Sequence, residues 1–160
     1  MSHSERNFWL DFCFFVTSLL TSFTGLVMWA FLRSQTTLIY TGYHRESWFI
    51  AHLCCGLASV LSAVLHVVRH KEWLRALRGR SIASLPLKLK ANRILDRIIW
   101  ISFLNACVFG GLAWGFPVTG YRVGILSRLH VASSILFLVG IIVHLVFHRK
   151  WISSTIRRHI

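Results

Sequence analysis

Acidic side chains are scarce: five Asp and Glu stand against eighteen Lys and Arg in 160 residues. All charged residues together make up 14% of the chain, whereas ordinary soluble domains carry about 25%. With 55% hydrophobic residues and a mean hydropathy of +0.60, the chain is too apolar for a water-soluble globule or a disordered segment. Two prolines and ten glycines exclude collagenous and low-complexity classes. The four cysteines, Cys13, Cys54, Cys55 and Cys107, fall in apolar stretches, where they read as small buried hydrophobes. No Cys-x-x-Cys-His occurs, which excludes covalent c-type haem. No Glu lies inside a long apolar stretch, which argues against a carboxylate-bridged di-iron centre.

What is present is four long apolar stretches, at about 8–32, 48–68, 98–116 and 125–147. Each approaches or exceeds the roughly 20 residues that a helix needs to cross a bilayer. Barrel strands would alternate in polarity over about ten residues, so the expected fold is an all-α integral membrane protein, a four-helix transmembrane bundle. The first stretch carries Asp11 and has no small-residue cleavage site after it, which is unlike a signal peptide. All seven Trp (9, 29, 48, 73, 100, 114 and 151) fall near expected helix ends, where indole rings favour the membrane interface.

The basic residues set an orientation. Fourteen lie before the first stretch, between the second and third, or after the fourth; Arg33, Arg45, Arg122 and Arg128 are on the other side. The positive-inside rule then puts both termini and the middle loop in the cytoplasm, with a bacterial-type inner membrane as the expected location. The net charge of +13 is accounted for by this placement and by attraction to anionic lipid, and no nucleic-acid partner is expected. Within the middle loop, residues 72–80 have the pattern of a short interfacial helix.

The chain also repeats itself. His52, His66, His70 and Trp73 recur 78 residues later as His130, His144, His148 and Trp151. Leu10, Asp11, Gly25, Trp29 and Phe31 recur 85 residues later as Leu95, Asp96, Gly110, Trp114 and Phe116. The unit is a helical hairpin occurring twice, at about 8–74 and 93–152, within a single membrane domain. Two crossings per unit bring both copies in from the same side, so the second and fourth stretches should run parallel.

Histidines inside a membrane are costly and usually functional. Within each helix the two are fourteen residues apart, just under four turns, which sets them about 40° apart in direction and about 21 Å apart along the axis. His52 is then level with His130, and His66 with His144. Each level offers two imidazoles as axial ligands for the iron of a non-covalent b haem, two haem b in all. Zinc would favour Cys and His clustered at one level, which this spacing does not provide. Between the ligands run small residues, Cys55, Gly56, Ser59, Ser62 and Ala63 on one stripe, and Ser133, Ser134, Phe137, Gly140 and Ile141 on the other. Gly56 and Gly140 are candidate cofactor-binding positions; close helix packing would use the same residues. Phe137 is expected to fill the space between the two haems.

His70 and His148, one turn beyond the inner pair among Arg69, Lys71, Arg149 and Lys150, are alternative ligands or propionate-contacting residues. Haem propionates need cations, and Arg45, Arg128, Arg69 and Arg149 are the candidates; snorkelling at the interface is their other reading. Tyr40, Tyr43, His44, Tyr121 and Arg122 are candidate quinone-site residues. Asp11 and Asp96 read as helix-dipole partners near helix starts or as proton relays.

The pattern of His52/His66 and His130/His144 resembles the four-helix, di-haem b-type membrane cytochromes, a group that includes cytochrome b561-like proteins and the cytochrome b subunits of hydrogenase and formate dehydrogenase complexes. The phrases His66-Val-Val-Arg-His-Lys-Glu-Trp73 and His144-Leu-Val-Phe-His-Arg-Lys-Trp151 are similar to those of a small bacterial family of such membrane domains. The resemblance covers all four stretches and implies haem b, a quinone partner and a redox protein partner. The expected function is transmembrane electron transfer in a subunit of an oxidoreductase complex. The alternatives are a self-sufficient quinone-linked oxidoreductase acting on a small oxidant, and a haem-free membrane anchor.

Overall fold

The computed structural model describes residues 3–30, 45–71, 86–115 and 120–159. Four helices account for nearly all of them: α1 (His3–Ala30), α2 (Arg45–Arg69), α3 (Leu87–Gly115) and α4 (Gly120–His159). Among the described residues there is no strand. Each helix contains a window long and apolar enough to cross a membrane, so the chain is an all-α, multi-pass membrane protein.

The helices overrun the expected spans in ways the sequence explains. α1 and α2 each open with an acidic residue in the first turn, Glu5 and Glu46, which favours the positive end of the helix dipole. α2 closes on His66 and Arg69, the favoured sign at that end, and the amide of His70 extends it by donating to the carbonyl of His66 (3.0 Å). Pro86 stands directly before α3; it has no amide proton to leave unsatisfied, and its carbonyl accepts from the Lys90 amide (3.0 Å). α4 is 40 residues long, about 60 Å of helix, twice the thickness of the hydrocarbon core. Its apolar window ends at Lys150, and the helix continues through a polar, basic tail.

The chain divides into two compact units, Met1–Gly79 and Arg80–Ile160, each holding one copy of the repeat. In the first, α1 packs on α2; in the second, α3 packs on α4. Both are antiparallel hairpins. Asp11, Ser18 and Thr21 ascend α1 while their partners His66, Ser59 and His52 descend α2. Asp96, Phe103 and Ala106 meet His144, Phe137 and His130 in the same order.

The seams are built mainly from small residues. Ser18, Thr24, Ser59 and Ala63 are buried in the first hairpin, and Ser102, Phe103, Ala106 and Phe137 in the second. Large apolar side chains such as Leu19, Phe23, Leu57, Leu61, Ile101 and Ile142 point outward. Lipid tails are as apolar as these side chains, so the helices associate by close packing at the seam, where small residues let the backbones approach. Some seam hydroxyls are satisfied along their own helix: Thr17 donates to Cys13 and Phe14 carbonyls, and Ser102, its repeat equivalent, to Ile98 and Ile99.

Candidate functional site

In each hairpin the two span histidines turn the same ring nitrogen toward the preceding helix. His52 places Nδ1 3.0 Å from the Thr21 carbonyl of α1. His130 places Nδ1 2.8 Å from the Ala106 carbonyl of α3. Thr21 and Ala106 are related by the 85-residue offset, as His52 and His130 are by the 78-residue one. A carbonyl only accepts, which makes Nδ1 the protonated nitrogen in both rings. In the first hairpin Thr24 reinforces this. Its hydroxyl donates to Leu20 O (2.9 Å), leaving the oxygen to accept from His52 Nδ1 at 3.1 Å. The lone pair of the neutral imidazole then resides on Nε2.

Opposite each of these rings stands a glycine. A Cβ on Gly25 would lie 3.0 Å from Cε1 of His52; on Gly110 it would lie 2.8 Å from Nδ1 of His130. A Cβ at Gly110 would require the His130 ring to shift, and one at Gly25 would press the His52 ring by a few tenths of an ångström. The two glycines, legible in the sequence as a repeated pair, make room for the ring on the neighbouring helix.

The other two histidines face carboxylates. His66 donates Nδ1–H to Asp11 Oδ1 at 2.7 Å. His144 Nδ1 lies 3.2 Å from Asp96 Oδ1, close but outside hydrogen-bond alignment. Asp11 is the ninth residue of α1 and Asp96 the tenth of α3, more than two turns inside. The helix dipole acts over about one turn, so the reading of these residues as dipole partners is corrected. Their place is opposite the inner histidines, and the signal was in the sequence: Asp11 and Asp96 recur with the same offset as the glycines that face His52 and His130.

The rings of His70 and His148 lie tilted against those of the histidines one turn before them, with centroids 4.5 Å from His66 and 4.4 Å from His144. His70 Nε2 is 3.5 Å from Asp11 Oδ1, so donor atoms of Asp11, His66 and His70 lie within 4.8 Å of one another. Among the described residues this is the only such cluster; its repeat counterpart does not close up in the same way.

The remaining candidate residues have simpler surroundings. Gly56 faces α1, where a Cβ would make ordinary contact with Thr21 at 3.8 Å. Gly140 faces α3 tightly, with Ile99 Cγ1 at 2.8 Å from a would-be Cβ. Phe137 keeps its place midway between the histidine levels, and its ring packs on Phe103 of α3 (centroids 5.2 Å), which makes it part of the hairpin's own seam. Arg69, Arg128 and Arg149 are exposed. Arg45 begins α2, and Tyr121 and Arg122 lie in the first turn of α4; their side chains are outside the described residues, as are Tyr40, Tyr43, His44 and residues 72–80.

Comparison with protein-family models, with curated proteins and with solved structures gives no match to this chain.

Proposed function

We propose that the chain is a membrane electron-transfer subunit that holds two b haems, with His52 and His130 as the axial ligands of one and His66 and His144 as those of the other. The pairing rests on the repeat. The observation that carries the reading is the handling of Nδ1. Metal-ligating histidines characteristically give their second ring nitrogen to a carbonyl or carboxylate, which fixes the tautomer and aims the ligating nitrogen. Three of the four rings make that hydrogen bond, and the fourth has its carboxylate at 3.2 Å.

When bound, haem would supply one-electron Fe(III)/Fe(II) chemistry between these histidines. The protein's part is preorganisation. Gly25 and Gly110 admit the rings, the Thr21 and Ala106 carbonyls and the two aspartates orient them, and Thr24 locks one tautomer. Exposed Arg128, Arg69 and Arg149 are cations of the kind that propionates require, with Arg45 as a fourth. In this reading the subunit links a redox protein partner to the quinone pool across a bacterial-type inner membrane, with both termini cytoplasmic.

The Asp11, His66 and His70 cluster favours a second reading, a haem-free anchor that binds a divalent cation at one hairpin. A reduced-minus-oxidised visible spectrum of the purified full chain, with haem and protein quantified together, separates the two. The haem reading expects b-type bands and two haems per chain. A preparation supplied with haem that shows no Soret band overturns it.

A further inference from the structure

The two levels of histidines differ in one respect that repeats in both hairpins. At the level of His52 and His130, the partner of Nδ1 is a backbone carbonyl, which carries no net charge. At the level of His66 and His144, the group facing Nδ1 is a carboxylate, hydrogen-bonded to His66 and 3.2 Å from His144 without a hydrogen bond. Resting on the two-haem reading above, we infer that Asp11 and Asp96 are positioning residues that lower the reduction potential of the carboxylate-backed haem below that of the carbonyl-backed one, giving the chain a built-in order of reduction.

Two effects act in the same direction. A carboxylate that accepts the Nδ1 proton gives the imidazole partial imidazolate character. That makes Nε2 a stronger donor and favours the ferric ion over the ferrous one. The carboxylate's negative charge also opposes the arrival of an electron at the nearby iron, and it does so strongly where little water screens it. A carbonyl dipole orients its ring and exerts neither effect at comparable strength. The two aspartates are not equal. Asp11 makes a 2.7 Å hydrogen bond, whereas Asp96 stands 3.2 Å from a poorly aligned Nδ1. Asp11 therefore contributes the larger share.

The half-reaction is one electron onto each iron, Fe(III) to Fe(II), with no bond made or broken. An electron entering at the carboxylate-backed level would pass downhill to the carbonyl-backed level, and the reverse transfer would be uphill.

The test is a mediated redox titration of the purified full chain, followed at the haem bands. The wild type should give two one-electron waves. Asp11→Asn should raise the lower wave and leave the upper in place; Asp96→Asn should do the same by less, and Asp11→Glu should restore the low value. His52→Ala, which removes a ligand of the carbonyl-backed haem, should leave the lower wave standing. This variant decides the matter even if an aspartate variant loses haem. A lower wave unmoved by Asp11→Asn, or an upper wave left in His52→Ala, overturns the inference while the two-haem reading stands. A wild-type chain with no haem bands removes that reading instead.

Discussion

Midway along the first hairpin two hydroxyls meet, Ser18 and Ser59, at 2.8 Å. At the equivalent place in the second hairpin two phenyl rings meet, Phe103 and Phe137, with centroids 5.2 Å apart. The offsets of 85 and 78 residues map one pair onto the other. On either side of this point the hairpins agree. Each has a glycine opposite a histidine held by a carbonyl, and an aspartate opposite a histidine further down. Both middle pairs close the seam without leaving a polar group unsatisfied, one by a buried hydrogen bond and the other by apolar contact. The seam thus tolerates a change of chemistry where it only packs, whereas the histidine supports are of the same kind in both copies. That difference separates positions that hold two helices together from positions that aim an imidazole.

The comparison breaks most visibly at the histidines. His66→Ala or His144→Ala should each lose about half the haem bound by the chain, measured as haem per protein. Equal loss from the two hairpins supports pairing across the repeat; loss from one alone would mean that the copies do not act as partners.

At the middle of the seam, Phe137→Ala should destabilise the protein by about 2–3 kcal/mol through the lost packing and the cavity it leaves, since lipid supplies no transfer term. Ser59→Ala should cost only about 1 kcal/mol, since membrane side-chain hydrogen bonds are worth little net. Unfolding in detergent with haem loss as a second readout checks both, and equal costs would refute the assignment of this level to packing.

The glycines sharpen the match between hairpins. Alanine improves helix propensity by about 1 kcal/mol over glycine, but overpacking typically costs about 1–3 kcal/mol. Gly110→Ala, with 2.8 Å to the His130 ring, should therefore lower stability and loosen haem more than Gly25→Ala, with 3.0 Å to His52. Thermal melts and haem retention on a desalting column measure this, and the opposite order would count against these ring positions. The smallest effect is expected at His70→Ala, which should leave haem content nearly unchanged. If that change alone strips haem, His70 is the ligand and His66 its neighbour.

Much of this was legible in the sequence. Apolar run length sets the four helices, and the 78-residue recurrence of three histidines marks the second and fourth as the bearing elements. The partners were less legible because they lie on the preceding helix of each hairpin, and antiparallel register is fixed by seam packing. Asp11 and Asp96 were visible as a pair, yet from sequence their helix starts lay only a few residues away. The true starts at His3 and Leu87 move them inside. The carbonyls of Thr21 and Ala106 have no sequence signature, since every residue has one.

The most direct measurement of the central claim is the electron paramagnetic resonance spectrum of the oxidised, purified chain. Two irons each gripped by two imidazoles should give only low-spin ferric signals, integrating to two haems per chain. A dominant high-spin ferric signal, which reports an iron with an open or water-filled axial position, would contradict it.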